Sequence, residues 1–354
     1  MKPSIKQLSA ITGYSSATIS NALNKKSNVN QQTAIKIWQA AREAGYITET
    51  RISSIRLTVC RTHGKVVSDT PFFSALISGV ENECRALGYT TAISHLDRSD
   101  PDFDAFLQQI LTDRSTANLV LATEFTESDA SLFLKAESPV VLVDTWLEDI
   151  NFDMVAIDNT DSMFNAAEYL IRRGHTKIGY LRSNTSIRNF IYREYGYIRA
   201  MNNRGIEISH GYTISLTPSM DGAYRDMNEY LSAQPDLPTA FLADNDNIAL
   251  GACKALQDSG YRIPEDISVI GFDDMPFCEI SAPPLTTVRV FKQVMGAEAV
   301  RRLVQIIHSG NGTKIKTQIC TEFIERESVR DITKADHVIS SRETSYGKPE
   351  SQII

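Results

Sequence analysis

Two groups of side chains in this sequence have the types and spacing for molecular recognition. The first lies in SSATISNALN (residues 15–24), where Ile19, Ala22 and Leu23 form the apolar stripe of a short helix. Ser16, Ala17, Thr18, Ser20, Asn21 and Asn24 are left outside, all of them small or polar. A major groove admits such a front because base edges must be approached closely. Ser16, Ala17 and Asn21 suit base edges, the alanine against a thymine methyl and the asparagine against adenine. Ser15, Thr18, Asn24 and Asn28 suit phosphates. The plain alternative is a three-helix mini-domain with no ligand.

The second group stands at the ends of apolar strand patterns. Asp144 follows VVLV, Asp273 follows SVIGF, and Asn245 ends AFLADN. A carboxylate so placed can accept two hydrogen bonds from vicinal hydroxyls, and an amide can donate and accept at once. Asp246 is placed to cap a helix beginning near Ile248, and Asp274 to cap the loop that follows. Arg193, at a helix start, offers a forked cation to hydroxyls or to a carboxylate. Phe72 and Phe73 open another helix, one fit to cover an apolar ligand face and the other to join the core. Trp146 is a stacking face near Asp144, while Tyr224 and Met220 are candidates for an opposing wall. This set suits a neutral or anionic polyol, such as a sugar or sugar phosphate. Catalysis finds no support, since no GxxxxGK, GxGxxG or GxSxG motif occurs. Asp246, Asp273 and Asp274 lack a His/Glu motif for a metal, and the five cysteines and six histidines are scattered without CxxC or HxxxH. No cofactor is expected.

Three short helices must carry the first group. Ser4 is placed to cap one bearing Ile5, Leu8 and Ile11 on a single face. Gly13 supplies a turn without Cβ strain, and Ser15 caps the second helix. A third, capped by Asn30, turns Ala34, Ile37, Trp38 and Ala41 inward and stops at Gly45. Residues 1–50 hold six basic side chains against two acidic ones, so +4; the whole chain carries −7, which leaves −11 on the rest. A basic head on an acidic body fits a module that touches phosphates and a body that does not. Its mild basicity calls for two heads, hence a homodimer on a pseudo-palindrome.

The second group needs a different scaffold. From Leu57 onward apolar strands alternate with helical patterns in two series, 57–157 and 162–271. Two successive β-α-β series imply two parallel-sheet subdomains with helices on both faces. At 354 residues the chain has room for two or three domains. No run is apolar and long enough to span a membrane, and MKPSIKQ has no signal-peptide core, so a cytoplasmic location is expected.

SIKQLSAITGYSSATISNALN, followed by Val29, the Thr33–Arg42 helix and Gly45-Tyr46, resembles the headpiece of the lactose/galactose repressor family of bacterial transcription regulators. The resemblance continues in order through Pro71-Phe72-Phe73, Asp158-Asn159, Gly174-His175, Arg193-Glu194-Tyr195-Gly196-Tyr197 and Asn245-Asp246. IPEDISVIGFDD (residues 263–274), PLTTV (284–288) and IERES (324–328) complete it. Any one block is weak; eight collinear blocks are strong.

The resemblance implies a helix-turn-helix DNA-binding domain at 1–46, a short linker at 47–56 and an effector-binding, dimerising body at 57–330. The body would have the type-I periplasmic-binding-protein arrangement, with an N-lobe of about 57–159 and 289–319 and a C-lobe of about 160–288 and 320–330. The family uses the arginine at the position of Arg193 on its effector, bound in the interlobe cleft. A repressor of a carbohydrate-utilisation operon, binding operator DNA under allosteric control by a small sugar-like effector, is the implied function. A transport-type sugar receptor shares the body but would lack the head and carry a signal peptide. The linker departs from the family: Thr48 and Glu49 replace the usual Pro-Asn, and Ile55 stands roughly where a hinge helix would wedge a leucine into the minor groove. The polar tail at 331–354 lacks heptad leucines and reads as disordered.

Overall fold

The computed structural model describes residues 4–24, 29–44, 46, 52–67, 71–309 and 312–333. A helical head comes first, made of α1 (Ile5–Thr12), α2 (Ser16–Leu23) and α3 (Gln31–Glu43). Ser4 and Gln7 form a reciprocal capping box on α1, and Gly13 ends that helix at φ 74°, where a side chain would be strained. The Ser15 hydroxyl accepts from Thr18 N–H to start α2, and Asn30 Oδ1 accepts from Gln32 N–H ahead of α3. Leu8, Ile19, Ala22, Ile37 and Ala41 form the core of the head. Ile11, expected to face inward, is 62 % exposed. The face of α1 that meets the other helices runs through Ile5 and Leu8, and Ile11 lies about 60° beyond Leu8 on the far side from Ile5.

The body alternates strands and helices. Its first part is β1 (Ser54–Arg61), α4 (Pro71–Ala86), β2 (Thr90–Asp97), α5 (Phe103–Thr112), β3 (Thr116–Leu121), α6 (Glu127–Leu132), β4 (Val140–Val143) and β5 (Asp153–Ile157). Then come α7 (Asn159–Arg172), β6 (Ile178–Ser183), α8 (Arg188–Asn203), β7 (Thr213–Leu216), α9 (Met220–Ser232), β8 (Ala240–Ala243), α10 (Asp246–Asp258), β9 (Ser268–Ile270) and α11 (Phe277–Ile280). It closes with β10 (Thr287–Arg289), α12 (Lys292–Ser309), β11 (Lys316–Ile319) and β12 (Glu322–Ile324).

These strands build two parallel sheets, ordered β11-β5-β4-β3-β1-β2 and β7-β6-β8-β9. Every residue of β3, β4 and β5 is buried, as happens when helices cover both faces of a sheet. The chain passes between the lobes three times: after β5, through β10, and after β11. The last two passages pair as an antiparallel ribbon, β10 with β12, and Ser162 Oγ meets Thr321 Oγ1 at 2.6 Å beside it.

Ile55 belongs to β1 and is 0 % exposed, so it is a core residue and cannot act as a groove wedge. Ile52 and Ser53 are not helical either. Residues 47–51, including Thr48 and Glu49, and the tail beyond Thr333 lie outside the described residues. No helix among the described residues is long and apolar enough to cross a membrane.

Candidate functional site

The first candidate surface is the outer face of α2. Ser15, Ser16, Ala17 and Asn24 are exposed, while Thr18, Ser20 and Asn21 are half-buried. Four of these side chains are already engaged locally: Ser15 Oγ takes the Thr18 amide at 3.1 Å and meets Thr18 Oγ1 at 2.8 Å, and Asn24 Nδ2 donates to Ser20 Oγ at 3.3 Å. Ser16, Ala17 and Asn21 are therefore presented side by side on a helix eight residues long. Asn28 lies outside the described residues.

The second site is the cleft between the lobes, at the carboxyl ends of the strands. Arg193, on α8, is its centre. It is almost fully buried and its guanidinium lies 3.7 Å from the centre of the Phe272 ring. Its Nε donates to Asn159 Oδ1 at 2.8 Å, Nη1 to Asp244 O at 2.5 Å and Nη2 to Asp273 Oδ1 at 3.3 Å. From Asn159 the hydrogen bonds continue across the lobes. Asn159 Nδ2 donates to Asn189 Oδ1, and Asn189 Nδ2 donates to both Asp144 O and Asp144 Oδ1, each of the three at 3.1 Å. Thr123 Oγ1 closes the chain on Asp144 Oδ2 at 2.6 Å. One polar network thus joins Asp273 in the C-lobe to Thr123 in the N-lobe, and each member has a partner.

Burial governs the charges here. It pushes the Asp144 carboxyl up to about 7, against the pull of the Thr123 hydrogen bond and of Arg193. Burial likewise raises Asp244 and Asp246 to about 7, and it raises Asp273 despite Arg193 and Lys292. Asp274 shows the opposite outcome: burial pushes it up, but hydrogen bonds from Arg289 Nε and Arg326 Nη2, both at 2.7 Å, hold it below the ordinary range. It is a clasp between β10 and the segment just after β12, not a loop cap. Asp246 is not the cap of α10 either. Asn245 is that cap, its Oδ1 accepting from Ile248 N–H at 2.9 Å, while the Asp246 carboxylate takes Met275 N–H at 2.7 Å and Thr287 Oγ1 at 2.6 Å.

Arg193, Asp273, Asp144, Asn245, Phe72 and Phe73 all line this cleft. The two phenylalanines meet edge to face at 5.1 Å, and both are buried and border the cavity, so neither is assigned to the core alone. Trp146 and Tyr224 do not line it. Trp146 stands against Lys316 Nζ, 5.7 Å from its ring centre, beside the incoming strand β11. The Tyr224 hydroxyl donates to Asp258 Oδ2 at 3.0 Å across α9 and α10, and Met220 borders a separate surface groove. Thr123, Asn189, Phe190 and Asn247 line the cleft but went unremarked in the sequence. Asn189 and Phe190 stand one helical turn before Arg193, on its face, and Thr123 follows β3, so i, i+4 spacing and the strand-end rule were available signals.

The N-lobe rim is built in an unusual way. Glu124 is buried, and its Oε2 accepts from the amides of Thr62, His63 and Gly64 at 2.8, 2.9 and 2.9 Å. Its Oε1 accepts from Val66 and Val67 at 3.0 and 2.9 Å, and Val66 lines the cleft. Burial alone would raise this carboxyl, yet the backbone N–H groups hold it below its ordinary value. The free space in the cleft is only ≈ 50 Å³, well under the ~300–1,000 Å³ of ligand pockets, so admitting a sugar requires the lobes or Arg193 to move.

A periplasmic binding protein-like domain family matches residues 167–329. The HTH-type transcriptional repressor PurR of Pasteurella multocida (strain Pm70) is 30% identical over 329 residues, covering 92% of this chain and 98% of that one. The structure of the transcriptional regulator CelR–cellobiose complex superimposes with a TM-score of 0.71 at 25% identity, over 92% of this chain and 99% of that chain. The lac repressor dimer bound to operator and the anti-inducer ONPF shares the fold, with a TM-score of 0.69 at 22% identity over 93% of this chain and 100% of that one.

Proposed function

The chain belongs to the lactose/galactose repressor family of bacterial transcriptional regulators, and from that premise we propose that it represses a carbohydrate-utilisation operon in response to a sugar-like effector. It is a DNA-binding repressor with an effector-binding body. The observation that carries the sugar reading is the cleft itself, where carboxylates at strand ends, the Asn245 amide and three phenylalanine faces surround Arg193. Such a set can satisfy vicinal hydroxyls on one side and cover a ring face on the other. A neutral sugar is favoured over a sugar phosphate, because Arg193 already faces Asp273 and is not free to pair with a phosphate. The role is regulatory rather than enzymatic, and the place of action is the cytoplasm.

Bases would be read by Ser16, Ala17 and Asn21, with Ser15, Thr18, Ser20 and Asn24 toward the backbone. Two heads are required for a two-half operator, so the working unit is a homodimer. Ile280 is 79 % exposed, next to exposed Phe277 and Met220 on one groove of the C-lobe, and this apolar face is assigned to the second copy. An effector alters operator affinity only as far as it discriminates between lobe arrangements.

The test is operator binding by the purified dimer at fixed salt, using a duplex selected from a random pool, across a panel of neutral sugars and their phosphates. A neutral sugar that shifts affinity by about tenfold, roughly 1.4 kcal/mol of coupling, supports the reading. A response confined to phosphates, or to no sugar at all, overturns the effector assignment.

A further inference from the structure

One helix that lines the effector cleft, α4, and its neighbour α12 also reach the DNA-reading head. α4 opens in the cleft with Phe72 and Phe73, and α12 opens beside it with Lys292. The Lys292 ammonium donates to the carbonyls of Asp273 and Asp274 and lies 5.6 Å from the centre of the Phe72 ring. From that end the helices run parallel and in direct backbone contact. A Cβ at Gly79 would sit 2.2 Å from Gln293 O, and one at Gly296 would sit 2.5 Å from Leu76 O. Further along, Arg301 grips Glu83 through hydrogen bonds of 2.9 and 3.0 Å. α12, with 18 residues, spans about 27 Å from the cleft end to His308.

The far end of the pair meets the head. The His308 ring stands 4.7 Å from the Trp38 ring, tilted at 49°, and Tyr89 Oη is 3.3 Å from His308 Nε2. Gly88, in the turn after α4, faces the Gln39 side chain of α3, whose Cγ would be 3.7 Å from a Cβ built there. Trp38 in turn donates through Nε1 to Ala22 O in the DNA-reading helix at 3.1 Å. A path of contacts therefore runs from Asp273 through Lys292, α12, His308 and Trp38 to α2, and a cavity of ≈ 460 Å³ lies beside the Trp38–His308 contact. Ser16 and Ala17 stay exposed with the head seated in this way, so the seat leaves the reading face open.

We propose that α4 and α12 form a rigid strut that sets the position of the DNA-reading head from the state of the effector cleft, through the seat of Trp38 on His308. This rests on the repressor reading above. Ile55 is locked in β1 and cannot serve as the minor-groove wedge, and among the described residues the seat of α3 on α12 is a positional reference for the head. The glycine contacts supply the stiffness. Where the two backbones touch at Gly79 and Gly296, sliding would drive side chains of one helix into the other and splaying would forfeit the close contact, so a displacement of Lys292 is carried along rather than absorbed. Trp38 and His308 are positioning residues; neither reads a base or touches the effector.

The strut can be tested without DNA or ligand. The chain has two tryptophans, so Trp146→Phe in the full-length protein leaves Trp38 as the sole tryptophan, excited selectively at the red edge of the aromatic band. In that background, His308→Ala should raise the acrylamide quenching slope of Trp38 roughly twofold, and Lys292→Met, at the opposite end of α12, should raise it as well. His308→Gln and Phe72→Leu are the milder pair, and unchanged far-UV dichroism and cooperative unfolding confirm the fold of each variant. If His308→Ala leaves the slope unchanged, there is no seat. If only the His308 variants move it, the seat exists without a relay. Either result overturns the proposal and leaves the repressor reading standing. That reading fails instead if the variants show these quenching changes yet the parent protein binds no operator.

Discussion

Replacing Asp144 by asparagine should flatten the pH dependence of stability around neutrality. Asp144 sits at φ 61°, a conformation asparagine tolerates, and an amide can face both Thr123 Oγ1 and Asn189 Nδ2 as the carboxyl does. The change therefore removes ionisation and little else. In the folded chain burial raises this carboxyl to about 7, against an ordinary 3.8. Between those values the folded state holds a proton that the unfolded chain has released. The contribution is thus complete below about pH 4 and is lost as pH rises through about 7. From about pH 6 to pH 8 one such group lowers the unfolding free energy by about 1.4 kcal/mol. Asp244 and Asp246, also raised to about 7, add to the fall in the unchanged protein and persist in the variant. Urea unfolding of both proteins across this range measures the difference. An equal fall in both, or a variant destabilised by the same amount at every pH, would refute the account, because either result means that Asp144 is ionised throughout and paired with Arg193.

Three further outcomes are expected. Asn21→Ala should relax discrimination at one or two operator positions by about 1–3 kcal/mol, read with base-substituted duplexes; a uniform loss on all duplexes would put Asn21 on phosphate instead. Arg193→Ala should lower stability by about 3–5 kcal/mol in denaturant unfolding, since it leaves Asp273, Asn159 Oδ1 and the Asp244 carbonyl buried without their donor. A loss of effector response with no loss of stability would show that Arg193 serves the ligand alone. Ile280→Asp should shift sedimentation from dimer to monomer while leaving the fold intact, and a dimer that survives it lies on another face.

Much of the fold was legible because its elements obey local rules. Strands such as VVLV and SVIGF are apolar on both faces only when helices cover both, and Ser4, Ser15 and Asn30 announce their helices by cap chemistry. The cleft was half legible for the same reason. Asp144, Asn245 and Asp273 follow strands, where parallel sheets present their ends to ligands. The misses come from partners distant in sequence. Trp146 follows a strand too, but β11 arrives from 170 residues later and sets Lys316 against its ring. Tyr224 is claimed by Asp258 because Gly251 lets α10 approach α9 until a Cβ would lie 2.4 Å from Met220 O. Asn245 and Asp246 could each have capped α10, and the choice was made by Met275 and Thr287, which no local pattern ties to Asp246.

The loop from Thr62 to Val67 bears on how such a protein could acquire a new effector. Its shape is fixed by main-chain amides converging on Glu124, an anchor that belongs to the end of another strand. Amides are common to every residue except proline, so the bonds survive when the loop's side chains are exchanged. Val66, which faces the cleft, can be altered in size or polarity without unravelling the rim that carries it. Ligand preference and loop architecture are thereby inherited through different residues, and selection can revise one while conserving the other.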